Sequence, residues 1–231
     1  MNHTTIKITL DLKTLSMREA NRAIREAVSK YETVIVKNAS HIHGLCAGLR
    51  KGNLVIESNV GDYLAMLNSG ARIIVKGNAG NYACDSMVKG EIVIEGNVGY
   101  GLGMYSYGGK IIVKGNADDA VGQLLKGALI VVFGDVGDNV GLYMVGGKII
   151  ILGKPGKNLG DWMIRGEIYT YNEAESYGRN TKVRRVNENE AKELSKIMTS
   201  LGYELSLKEA SKFIKVEPKS IRPFYGARGE T

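Results

Sequence analysis

Offset so that Leu54 falls on Ile73, the chain aligns with itself without a gap over residues 54–72, 73–91, 92–110, 111–129, 130–148 and 149–167. Residues 34–53 form a looser copy, longer by one, and Ile168 to Tyr171 opens an eighth. A period this short leaves few folds available. One unit is too small to enclose a core and buries its apolar face only against its neighbours, so the chain reads as a solenoid. We number these coils one to eight and the positions within an exact copy 1 to 19.

Positions 1 to 3 read LVI, IIV, IVI, IIV, IVV and III in coils two to seven. Such short runs of Ile and Val are strands rather than helices. Equivalent strands in successive coils run the same way, so they stack as a parallel sheet with neighbours about 4.8 Å apart. The expected fold is mainly β, a right-handed parallel β-helix of about seven to eight coils flanked by short α-helical segments.

Glycine recurs at positions 5, 8 and 12, complete in Gly96, Gly99, Gly103, in Gly134, Gly137, Gly141 and in Gly153, Gly156, Gly160, and partial in Gly77, Gly80 and in Gly115, Gly122. Gly90, Gly109, Gly147 and Gly166 mark position 18. Gly99, Gly101 and Gly103 invite comparison with a nucleotide loop, but that loop opens a helix, whereas here another strand follows each copy. The glycines are therefore read as corner residues, supplying positive φ and close backbone approaches.

Charge repeats with the same period. Position 4 reads Glu57, Lys76, Glu95, Lys114 and position 19 reads Arg72, Glu91, Lys110. Stacking in sequence order makes opposite charges neighbours. Each exposed pair contributes at most ~1 kcal/mol, so the alternation fixes register more than it stabilises.

The formal charge of +7 belongs to the flanks, because residues 54–167 hold ten Lys and Arg against eleven Asp and Glu. The coils offer no continuous phosphate track, and nucleic acid is disfavoured. The cluster Lys182, Arg184, Arg185 reads as a solvated or partner-facing segment. No apolar run reaches the roughly 18 residues of a membrane span, and the polar start MNHTTIK is not a signal peptide, so a soluble cytoplasmic protein is expected.

Cys46 and Cys84 both fall at position 12, two coils and about 9.6 Å apart, beyond the roughly 7 Å limit of a disulfide. Two free, buried thiols are expected. His41, His43 and Cys46 lack a second Cys or His group to complete a metal site, and are read as one irregular coil with a polar corner.

Three segments are expected, 1–33 as a strand–helix cap, 34–171 as the β-helix, and 172–231 as a helical segment with an extended arm. Ile6 to Leu10 alternates as a strand, and Ser16 with Glu19 forms a capping box for a helix from Met17 to Lys30. Such a cap covers an edge that otherwise invites aggregation. Beyond coil eight, YNEAESYGRNTKVRRVNENE is expected to be irregular, followed by helices at about 190–201 and 207–214. The end, EPKSIRPFYGARGET with Phe224 and Tyr225, reads as an extended docking arm.

The stacked GNVGYGLG, GDVGDNVG and GKPGKNLG segments resemble the GXGXG domain at the C-terminal end of the large glutamate synthase subunit. They are especially similar to the version that stands alone in archaeal glutamate synthases and N-methylglutamate synthases. The same repeat occurs in the C subunit of formylmethanofuran dehydrogenase. The departures at Ser58 with Ala65, Cys84 and Asp118 put the regularity of coils two, three and five in question. The resemblance implies a non-catalytic scaffold subunit for nitrogen metabolism. Its partners would be a glutaminase (amidotransferase) subunit and an FMN-binding synthase subunit carrying the FMN and iron–sulfur cluster. It implies no catalytic, cofactor or metal residue in this chain. Self-association stays open. The competing class is a free-standing β-helix enzyme or binding protein, for which Asp118, Asp119, Asp135 and Asp138 are the acidic candidates. Against it, those residues read as turn formers at unusual φ.

Overall fold

The computed structural model describes residues 6–222. Its frame is one sheet whose strands follow sequence order from β1 to β9. These are β1 (Lys7–Asp11), β2 (Thr33–Lys37), β3 (Asn53–Ile56), β4 (Ser69–Val75) and β5 (Lys89–Ile94). They continue as β6 (Lys110–Val113), β7 (Leu129–Val132), β8 (Val145–Ile151) and β9 (Arg165–Thr170). All neighbours in this series are parallel, and Leu54, Ile73, Ile92, Ile111, Ile130, Ile149 and Ile168 pair in succession. The sequence period is thus the strand register itself.

Side chains at positions 1 and 3 point into the coil and are buried throughout coils two to seven, from Leu54 and Ile56 to Ile149 and Ile151. A second wall stacks at position 7, through parallel bridges joining Val60, Ala79, Val98, Ala117, Val136 and Pro155. The core lies between these two walls. Position 2 faces outward and forms an apolar column on the other side of the sheet. The departures in coils two, three and five do not break the coil, since Leu54, Ile73, Ile92, Ile111 and Ile130 pair in step through them, with a register shift between β4 and β5 only at Ser69 to Arg72.

Helix α1 (Met17–Lys30) has the expected capping box between Ser16 and Glu19. Ala20, Ile24 and Ala27 are buried against the first coil. Buried Asn21 ties the two together, donating to the Gly44 carbonyl at 3.0 Å and accepting from the Cys46 N–H at 2.8 Å. Coil one carries its extra residue between Lys37 and Ile42. Val34 pairs with Leu54, whereas the Ile42 carbonyl accepts from Gly61, so the offset between coils one and two shortens by one across that segment.

The C-terminal part departs from expectation in three places. The repeat does not stop at Tyr171. It continues as an eighth coil one residue short, in which Tyr177 bridges Leu159 and the Asn172 amide donates to the Leu152 and Gly153 carbonyls, at 3.0 Å each. The segment expected to be irregular also contains β10 (Thr181–Arg185). Finally, the helix expected to reach residue 214 ends as α3 (Leu207–Ala210), and Ile214 begins β11 (Ile214–Pro218). Strand β11 runs antiparallel between β9 and β10, closing the sheet in the order β9-β11-β10. The first residues of the expected arm therefore belong to a strand, and Phe224 and Tyr225 lie outside the described residues.

Helix α2 (Glu188–Ser200) starts two residues earlier than expected, because Asn187 and Glu190 form its capping box. With α3 it folds back over the outward column of the sheet. Val131, Ile150 and Tyr169 at position 2 are buried beneath Leu194, Met198, Ala210 and Phe213 in a second core. The same column at Val55, Ile74 and Val93 is only half-buried.

Candidate functional site

The acidic residues that a free-standing enzyme would use are committed to the coil. At position 6, the side-chain oxygen of Asn59 accepts the backbone N–H of Asn78, and Asn78, Asn97, Asn116 and Asp135 each repeat this one coil on, at 2.7 to 2.9 Å. At position 9, Asp62, Asn81, Asp119 and Asp138 build the same ladder. Tyr100 has no side-chain acceptor at this position, and Asp118 instead accepts the Asp119 N–H at 2.9 Å. None of the four candidate aspartates has positive φ, so the expectation of turn formers is corrected: Asp119, Asp135 and Asp138 are ladder acceptors, and Asp118 serves its neighbour. The signal was present in the sequence as Asn59, Asn78, Asn97, Asn116, one in each successive coil.

The ladders explain two glycine columns. A Cβ on Gly99 would lie 2.3 Å from Asn81 Oδ1, and one on Gly96 2.3 Å from Asn78 Oδ1. Glycine is required there for close approach, not for φ. At position 12 the backbone is left-handed, with Gly103 at φ +67°, and Ala65 and Cys84 take the same conformation in earlier coils.

His43 Nδ1 lies 3.2 Å from Asp62, and His41 Nε2 lies 3.2 Å from the Leu15 carbonyl, so the two rings and the buried Cys46 thiol do not converge. Among the described residues no group of His, Cys, Asp and Glu is arranged to hold a metal. Cys46 and Cys84 are free and buried, and burial pushes the Cys46 thiol up to about 12.

Of the cluster Lys182, Arg184, Arg185, only Arg184 is half-buried against the chain's own acids, while Lys182 and Arg185 stay exposed, as expected of a solvated segment. Arg184 makes a bidentate contact with Glu190, at 2.8 and 2.7 Å, and reaches Glu217 at 3.2 Å. Lys182 approaches Glu217, and Arg185 approaches Glu173. Lys215 on β11 is nearly buried among Glu167, Glu190 and Glu217. Arg184, with Lys215 and the Asn187 N–H, holds the Glu190 carboxyl well below the usual carboxylate range despite burial. This hub fastens α2 and β11 to the last coil.

The remaining feature is a set of exposed aromatic and aliphatic side chains on the segments that join successive strands. Tyr63 stacks on Tyr82 with centroids 5.0 Å apart, and Tyr82 meets Tyr100 edge-on at 5.5 Å. Tyr105, Tyr107 and Tyr143 continue the exposed stripe over coils four and six. Sequence reading missed it because the residues vary in identity and share only their exposure.

These features define a parallel β-solenoid of short, uniform coils, capped at both ends, with the acids of its ladders consumed by backbone N–H groups. Residues 107–217 match the model of the family described as GXGXG motif. That span begins near the end of coil four, so coils two to four lie almost wholly before it. The chain is similar in fold to a chain of the formyltransferase/hydrolase complex (FhcABCD) from Methylorubrum extorquens, solved in complex with methylofuran. The TM-score is 0.71 at 19% identity, covering 90% of this chain and 91% of that one. No curated protein matches the chain by sequence. No helix among the described residues is long and apolar enough to cross a membrane.

Proposed function

We propose that this chain is a non-catalytic scaffold subunit of a multi-subunit enzyme assembly. The observation that carries this reading is the use of the side chains. Asp62, Asp119, Asp135 and Asp138 each accept a backbone N–H one coil on, while Tyr63, Leu67, Val88, Tyr100, Tyr105, Tyr107 and Tyr143 stand exposed along the coils. Such a molecule supplies surface and spacing rather than a reaction. A rigid rod with a fixed rise per coil is suited to holding two other proteins at a set distance.

Two assemblies fit. In a glutamate-synthase-like complex, the rod would position a glutaminase subunit and a synthase subunit bearing FMN and an iron–sulfur cluster, so that ammonia passes between their sites. The GXGXG motif over residues 107–217 is compatible with this assembly and equally with the second. In a one-carbon complex of the formylmethanofuran type, it would position subunits that transfer a formyl group. The likeness to a chain of the formyltransferase/hydrolase complex, which spans nearly all of both chains, favours this second reading. Affinity isolation of the tagged chain from its own cells, with mass spectrometry and an absorbance spectrum of the eluate, separates them. A glutaminase-type subunit with a flavin spectrum selects the first. Formyl-transfer subunits select the second, and isolation of the chain alone defeats both.

A further inference from the structure

Positions 14, 16 and 17 of the coils make a face with a distinct charge pattern. Position 16 is stacked as regularly as the sheet, because its N–H donates to the position 15 carbonyl of the preceding coil at Ser69, Val88, Tyr107, Lys126, Val145 and Ile164. Along positions 16 and 17 lie Arg50, Lys51, Lys89, Lys126 and Arg165, all exposed, with no acid in either column. None of these five makes an ion pair among the described residues, whereas at positions 4 and 19 Lys76 is paired with Glu95 and Arg72 with Glu91. The cations occupy coils one, three, five and seven, so they recur about every 9.6 Å over roughly 29 Å of the rod. Beside them stand Leu67, Val88, Tyr105, Tyr107 and Tyr143, which are 37% to 56% exposed.

At position 14, every residue from coil two to coil seven has a left-handed backbone, yet none is glycine: Leu67, Ser86, Tyr105, Leu124, Tyr143 and Trp162 have φ from 53° to 59°. Holding a side chain there costs about 1–2 kcal/mol per residue. The same hand recurs at position 10, in Tyr63, Tyr82, Ala120, Asn139 and Asn158, so it marks a corner of the coil, and position 14 is the corner that carries Leu67, Tyr105 and Tyr143 outward. Lys126 shows how the two kinds of residue combine, lying 4.0 Å from the Tyr107 ring centroid with its ammonium donating to the Tyr107 hydroxyl at 2.6 Å.

We infer that this face docks a partner protein whose surface sets a row of carboxylates around an apolar patch, the carboxylates meeting Arg50, Lys51, Lys89, Lys126 and Arg165. The inference rests on the scaffold reading above and names the surface that serves it. The exposed tyrosines and the two arginines are of the kinds enriched at protein interfaces, and the row of cations supplies the charge complementarity that fixes register. A second copy is disfavoured, since a face with five cations and no acid repels itself. Nucleic acid is disfavoured because the coils as a whole are near neutral, with ten Lys and Arg against eleven Asp and Glu over residues 54–167.

The test uses the tagged full chain isolated with its assembly and treated with a zero-length carbodiimide, which joins lysine amines to carboxylates by an amide bond. Links from Lys51, Lys89 and Lys126 to Asp or Glu of a co-isolated subunit are expected. The double variant Lys89→Glu with Lys126→Glu should recover at least tenfold less of that subunit, with an unchanged melting curve, while Lys154→Glu on another face recovers it fully. Undiminished recovery with the double variant overturns the inference and leaves the scaffold reading standing. Links to a second copy, or ultraviolet cross-links of this face to nucleic acid, overturn it in favour of those occupants. Isolation of the chain alone removes both readings.

Discussion

Asn78 Oδ1 accepts the backbone N–H of Asn97 at 2.8 Å, and Asn97 does the same for Asn116 at 2.8 Å, so the side chain of one coil supplies the backbone partner of the next. Replacing Asn97 with Ala should cost about 1 kcal/mol by leaving the Asn116 N–H without its partner. Asn97→Asp should be close to neutral, because Asp135 already fills the column and offers the same acceptor to Lys154. Chemical denaturation of the two variants checks this. Equal losses would mean the ladder is incidental.

Gly99 faces the second ladder, at position 9, from the neighbouring column. Gly99→Val places a Cβ 2.3 Å from Asn81 Oδ1, and the shift needed to relieve it should destabilise the chain by about 1–3 kcal/mol. Gly103→Ala, at a left-handed position where coil two already holds Ala65, should cost less unless the contact with Ile130 Cδ1 at 2.7 Å cannot relax. Melting temperatures of the two variants rank the two reasons for glycine, close approach and backbone hand.

The period made most of the fold legible, since one apolar triplet per coil fixes the strands and their register together. What escaped had a different origin. Coil eight is one residue short and has Asn172 where others have glycine, so it falls out of the alignment while its Nδ2 still reaches the Leu152 carbonyl at 3.0 Å. Strand β11 reads as a helix end because Ile214 to Val216 is short and interrupted by Lys215, whose charge is accommodated by Glu167 of β9 and Glu190 of α2 together with Glu217 of its own strand. The exposed face carried no motif, and its pattern appears only when the coils are stacked.

The acid hub predicts a pH response. Glu190 is held below the usual carboxylate range by Arg184 first, with Lys215 and the Asn187 N–H adding to it against burial. A depressed carboxylate contributes stability above its unfolded value and loses it as pH falls toward its folded value. The attachment of α2 should therefore weaken from about pH 4.5 downward, seen as faster amide exchange in residues 188–200. Glu190→Gln should raise exchange there at pH 7 and flatten its dependence on acid. An α2 that exchanges alike in both proteins at both pH values would remove the hub from this role.

Cys46 and Cys84 are buried, and burial raises both thiols, Cys46 to about 12. Neither should react with a disulfide reagent in the folded chain, and both should react at once in denaturant. Fast modification of the native protein would show that coil one or coil three opens on its own.

The scaffold reading is tested most directly by removing the chain from its native cells and following the other subunits by native mass spectrometry. The reading predicts that they stay folded and keep their partial reactions, but no longer migrate together, and that the coupled reaction fails until the chain is added back. Subunits that still assemble and couple without it, or turnover of a substrate by the isolated chain, would contradict it.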